Sequence, residues 1–180
     1  MISTARQDDQ RSRVRYEGGM GRAFAQLCGL SYGPSGWWHE TWFLLPLGGA
    51  IPFWIMLWWH GAGHSTQWTW QTALLYLSLS VWRPFCEELG FRGLLQGMLL
   101  DHAPYRFQIG PLSLANLLTT VAFGIAHLPG HPLPWVAGIF AVSLLLGYAR
   151  DRTASILPAI VWHSYFNAGY FFVLGLPLSS

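Results

Sequence analysis

The stretch CEELGFRG, residues 86 to 93, places two adjacent carboxylates and a guanidinium between the apolar runs ALLYLSLSVW and LLQGMLL. On a helix, Glu88 and Arg92 lie four apart with the acid nearer the N-terminus, the favourable order for an ion pair on one face. Glu87 is turned about 100° from Glu88 by the helical pitch, so Arg92 cannot serve both acids, and Glu87 is left without an obvious local partner. An acid of that kind in apolar surroundings is a candidate general base, able to take a proton from water and return it. The competing reading is a solvated helix start at a membrane interface, with Pro84 in the first turn and acids near the positive end of the dipole.

Few other polar groups interrupt the apolar stretches. They are Asn116, His127 at the end of AFGIAH, and His163 with Asn167 in HSYFN, the last two four apart on one face. An ionisable side chain at the centre of a bilayer costs about 2.5–3.5 kcal/mol on insertion scales, so such residues are paired or functional. A lone histidine in a membrane is most often a packing residue. Two histidines, an asparagine and a glutamate pair in so few spans are harder to explain that way.

These groups need an apolar frame, and the composition provides one. Of 180 residues, 52% are hydrophobic and only 10% charged, well below the roughly 25% charged of a soluble domain. Stretches of spanning length occur at Trp42 to Trp59, Trp68 to Phe85, Leu112 to Leu128, Leu133 to Ala149 and Ala154 to Gly175. A sixth emerges if 87–104 forms its own crossing. The expected fold is all-α: a polytopic membrane helix bundle with about six transmembrane helices. A polar arm and an interfacial helix (1–31) would precede one membrane-embedded domain (32–180).

Eleven tryptophans suit the headgroup region, with Trp37, Trp38 and Trp42 before the first span and Trp58, Trp59, Trp68 and Trp70 around the next loop. Trp162, in mid-span, reads instead as a packing residue. Every basic residue is arginine, and Arg6, Arg11, Arg13, Arg15 and Arg22 precede the first span. The positive-inside rule therefore places the N-terminus in the cytoplasm. Nucleic-acid binding by this arm is disfavoured, because Asp8, Asp9 and Glu17 dilute its charge. No cleavable signal is apparent, and Cys28 and Cys86 give no reason to pair.

If 84–104 crosses outward and 111–128 returns, Glu87 and His127 both lie toward the cytoplasm. His163 and Asn167 then lie roughly 14 and 20 Å into the last span, and the four groups converge in the inner half of the membrane. Six crossings, however, export Arg106, Arg150 and Arg152. Making 87–100 re-entrant keeps those arginines inside but sends His127 to the opposite face from Glu87.

EELGFRG fits EExxxR with an FRG ending, AFGIAH fits FxxxH and HSYFN fits HxxxN. GYARDRTASILPAIVWHSYFN also resembles the run that precedes the last motif. In order and separation, the three motifs resemble the CPBP family of CaaX proteases and bacteriocin-processing enzymes, also called Abi proteins, which are glutamic intramembrane endopeptidases. The likeness spans residues ~80 to 170. It implies that Glu87 with His127 activates the attacking water, that Glu88 and Arg92 order the helix, and that His163 and Asn167 stabilise the oxyanion. No cofactor is implied. The partners are the bilayer and a membrane-anchored protein or peptide: a C-terminal sorting tail, a bacteriocin leader or a CaaX-like tail. The setting is a prokaryotic inner membrane. The chain is shorter than larger relatives of about eight spans, so some of their substrate-binding helices have no counterpart here.

Three rivals use the same residues. Glu87, His127 and His163 are a possible His2Glu zinc set with an open position, although HExxH is absent. A Cys86–His163–Asn167 protease is disfavoured because two neighbouring carboxylates suppress a thiolate. A transporter or a non-catalytic immunity protein would use the polar groups without cutting a bond, but there is no internal repeat of the kind most secondary transporters carry.

Overall fold

The computed structural model describes residues 20–30, 36–60, 66–130 and 132–177. The N-terminal arm at 1–19 and parts of three expected turns (33–35, 61–64 and 131) lie outside the described residues. A short helix α1 (Met20–Leu27) lies within the 20–31 stretch where a helix is expected. After a 3₁₀ turn at Trp37–His39 comes α2 (Thr41–Trp59), apolar on all sides and carrying Pro46 and Pro52.

The next helix, α3, runs without a break from Trp70 to Asp101. Within it the α segments Trp70–Leu77, Arg83–Glu88 and Gln96–Asp101 alternate with π segments Ser78–Trp82 and Leu89–Leu95. A two-residue hairpin, β1 (Gln108–Ile109) and β2 (Leu112–Ser113), turns the chain through Gly110 at φ 62°. Ser113 then caps α4 (Leu114–His127), its hydroxyl accepting from the Asn116 N–H at 3.0 Å. Helices α5 (Leu133–Thr153) and α6 (Leu157–Leu174) follow, separated by Ala154 in the left-handed conformation and by Pro158 in the first turn of α6.

The continuity of α3 corrects the expectation of about six separate spans. The stretches at 68–85 and 87–104 share one continuous helix over 70–101, so five helices follow α1 among the described residues. An interior proline ordinarily breaks a helix by removing a donor and crowding the carbonyl four residues back. Here the π segment just before Pro84 widens the turn, with the Arg83 N–H reaching back to Ser78. One crossing fewer between the N-terminus and Arg106 also reverses the ends of the later helices. Arg150 at the end of α5 donates to the Leu27 carbonyl of α1 at 2.9 Å, and the Ile156 N–H donates to Gly29 at 2.9 Å. Arg106, Arg150 and Arg152 thus share the end of the bundle that holds α1, and the conflict with loop charge disappears.

By length and composition, α2 and α5 can each cross a membrane. The long apolar side chains of α2, among them Leu45, Ile55 and Trp59, face outward, as lipid contact requires. The core lies where α2, α5 and α6 meet: Phe43, Leu146, Ala149, Ala159 and Trp162. Trp162 is a packing residue, stacked on Phe43 at 5.4 Å with its indole N–H donating to the Phe43 carbonyl at 3.0 Å. Small residues let neighbouring helices approach closely. A Cβ on Gly147 would collide with the Asn116 carboxamide, whereas Gly138 of the same helix faces open space. Gly147→Ala should therefore lower the thermal midpoint of the detergent-purified protein by several degrees, and Gly138→Ala should leave it within error.

Candidate active site

Helix α3 delivers the glutamate pair to the middle of the bundle, against α6. Glu88 is fully buried. Its Oε1 accepts from Arg92 at 3.0 Å and lies 2.7 Å from His163 Nδ1, so one carboxylate oxygen joins α3 to α6. The guanidinium of Arg92 continues outward, donating to the Ser143 hydroxyl at 2.8 Å and to the Ser143 carbonyl at 3.1 Å on α5. Ser143 in turn donates to Thr120 at 3.1 Å, and Thr120 to Asn116 at 3.2 Å, both on α4. A single polar chain thus runs through four helices.

Burial of this chain is not explained by stability. Two buried charges lose several kcal/mol each in hydration, and their attraction offsets that only when the remaining polar atoms are satisfied. Glu88 Oε2 and Arg92 Nε have no hydrogen-bond partner among the described residues. Apolar side chains of similar size would pack there at no greater cost, so the arrangement points to chemistry.

Glu87 differs in exposure and in company. Its side chain is 18% exposed, its Oε1 accepts from Arg83 Nε at 2.7 Å, and its Oε2 lies 3.7 Å from His163 Nε2. The expectation that Glu87 has no local partner is therefore corrected: Arg83, one turn earlier, is its partner. Arg83 is 54% exposed, so this outer pair lies at the surface of the bundle. His163 stands between the acids, with Nδ1 on Glu88 and Nε2 facing Glu87.

Phe123, the aromatic residue of AFGIAH, organises the rest. Its ring lies 4.5 Å beneath the Arg92 guanidinium, 4.4 Å from the His127 ring, 4.9 Å from Phe91 and 6.1 Å from His163. The cation–π contact adds to the hydrogen bonds that hold Arg92 at Ser143. His127 Nδ1 lies 2.8 Å from the Phe123 carbonyl. A carbonyl only accepts, so Nδ1 carries the hydrogen and Nε2 the lone pair. Asn167, one turn beyond His163, donates through Nδ2 to the Leu79 carbonyl at 3.1 Å.

The geometry brings Glu87, Glu88, Arg92 and His163 together and joins His127 to them through Phe123. It turns the Asn167 amide toward the α3 backbone. Among the described residues, no three His, Cys, Asp or Glu side chains gather as a candidate metal site. Cys86 is exposed and Cys28 buried, both as free thiols, and burial pushes the Cys28 thiol up. Ser143 and Thr120 were not candidates from sequence, because a hydroxyl inside an apolar span carries no signal until its partner is known.

Residues 68–169 match the family described as type II CAAX prenyl endopeptidase Rce1-like. The match covers more than half of the chain and takes in EELGFRG, AFGIAH and HSYFN. The chain belongs to this family. It is thereby an integral membrane endopeptidase of the CAAX type, acting on membrane-associated protein substrates, as the three motifs imply. Comparison with curated proteins and with solved structures finds no match. Helices α1 and α2 lie outside the matched residues, while every candidate site residue lies within them.

Arg92→Lys should destabilise this Rce1-like chain despite keeping its charge. A single ammonium cannot hold Glu88, Ser143 and the Phe123 face as a planar guanidinium does. Arg92→Leu should cost more, about 3–5 kcal/mol, because it strands a buried carboxylate. Thermal unfolding of the purified variants checks the order wild type, Lys, Leu.

Proposed function

We propose that the protein is a glutamate-dependent intramembrane endopeptidase that hydrolyses a peptide bond of a membrane-anchored protein or peptide without a metal. The carrying observation is the pair of atoms Glu87 Oε2 and His163 Nε2, 3.7 Å apart. That gap is too wide for a hydrogen bond and narrow enough for one water to touch both atoms. Glu87 takes a proton from this water as its oxygen attacks the scissile carbonyl carbon. In its protonated form His163 donates through Nδ1 to Glu88 and keeps an Nε2–H for the developing oxyanion, a kind of contact worth about 2.7–4 kcal/mol. The C–N bond then breaks, and the proton held by Glu87 passes to the leaving amine. His127, its tautomer set by the Phe123 carbonyl, assists at the water.

Glu87 is partly exposed beside Arg83, whereas Glu88 is enclosed and serves to hold His163. The two neighbours thus divide into reactant and support. The positive-inside rule sets the arginine-bearing end of the bundle in the cytoplasm. The likeness in family supports a substrate tail lying in or on the bilayer, whether prenylated, a leader or a sorting segment.

Glu87→Gln should abolish cleavage, by about 10²–10⁴-fold as for a lost general base, while the protein stays folded. Comparing the termini of the membrane proteome with and without the substitution reads this directly, and unchanged termini would sink the proposal. Chelators should leave cleavage intact. One zinc per chain, with activity lost on its removal, would replace the glutamate mechanism with a metal one.

A further inference from the structure

The first π segment of α3 leaves one backbone group without a main-chain partner. The Leu79 carbonyl would accept from residue 83 in an α-helix and from residue 84 in a π-helix. The Arg83 N–H is committed to Ser78, and Pro84 has no N–H to give. Inside a membrane bundle such a carbonyl must find another donor. It finds Asn167, whose Nδ2 lies 3.1 Å away on α6. A second strap of the same two helices sits beside it, the Tyr76 hydroxyl donating to the Ala168 carbonyl at 3.0 Å.

At the other end of the glutamate turn, the second π segment also meets a side-chain donor from another helix. The Gln96 N–H is turned to Phe91, and the Arg92 carbonyl accepts from Arg150 Nε at 3.3 Å. The α segment Arg83–Glu88 therefore hangs between two widened turns, each held from a different helix. Side chains at 87 and 88 point about 100° apart on a helix, yet both carboxylates reach His163, at 3.7 and 2.7 Å. The rotation of this short segment decides whether they do.

We propose that Asn167 is a positioning residue: it fills the carbonyl that Pro84 leaves without a donor, and so fixes the rotation of the Glu87–Glu88 turn toward His163. It acts through the α3 backbone, by the contact of Nδ2 with the Leu79 carbonyl. Its catalytic consequence rests on Glu87 being the base; the clamp itself does not.

Asn167→Asp keeps the shape and removes the donor. It should be made in the full-length chain alone and together with Pro84→Ala. An alanine at 84 supplies a main-chain donor, either by its own N–H or by letting the turn close so that Arg83 N–H returns to Leu79. Alone, Asn167→Asp should lower the thermal midpoint by several degrees. With Pro84→Ala present, the same change should cost less than half as much, the non-additivity expected of groups that share a partner. Equal losses in both backgrounds would overturn the proposal.

Catalysis gives a second readout: kcat for Asn167→Asp should fall about 10-fold with KM nearly unchanged, against the 10²–10³-fold typical of a lost oxyanion donor. A fall of that larger size would also count against the clamp. If Pro84→Ala does not fold, the ¹³C-carbonyl resonance of Leu79 decides between the two cases. It should move on Asn167→Asp, and a fixed resonance would refute the clamp. The midpoint and the resonance do not depend on cleavage, so a chain that shows the coupling but cuts nothing would keep the clamp and lose the peptidase reading.

Discussion

A single carboxylate oxygen, Oε1 of Glu88, accepts from Arg92 and faces His163 in a pocket with no exposure to solvent. The rest of the centre depends on it. In an apolar bundle the Arg92 guanidinium cannot be left alone, because an uncompensated buried charge costs several kcal/mol. The oxygen therefore fixes where α3 and α6 sit relative to each other. Once α3 is set, Arg92 extends to Ser143 and the Phe123 face, which fixes α5 and α4 in turn. Glu87 gains its place facing His163 only as the next residue along the same turn.

Much of this was legible in residue types and spacing. The i, i+4 order of Glu88 and Arg92 foretold their pair, and the mid-span position of Trp162 foretold its role in the core. The three motifs carried the family, which the match at 68–169 establishes. What composition could not show was the fate of Pro84. A proline beside two acids reads as the start of a new helix, and only the π turn before it lets one helix continue. Dividing that helix in two hid Arg83 from Glu87, since a residue assigned to one span was not sought as the partner of a residue in the next. Ser143, Thr120 and Arg150 were silent for a related reason: each serves a group more than twenty residues away, and no local pattern encodes that.

The polar chain from Asn116 to His163 also clarifies why the bundle tolerates so many uncommitted atoms. Hydrogen bonds in low-dielectric surroundings are strong when made and costly when missed, so a network crossing four helices ties their positions together more tightly than apolar contacts do. Close approach at Gly147 brings the Asn116 carboxamide within reach of the α5 backbone, where it donates to the Leu144 carbonyl at 3.1 Å. Packing and polarity here are one constraint.

Helix α4 with its 3₁₀ continuation, Leu114–Gly130, rises about 27 Å, a little less than a hydrocarbon layer of about 30 Å. Its neighbours α3 and α5 are long enough to cross, so the deficit falls on one side of the bundle, at the end where His127 sits. A bilayer answers such a mismatch by thinning locally or by letting headgroups and water descend. The fit of α4 in its bilayer is thereby coupled to acyl-chain length, a variable set by the lipid rather than by any side chain.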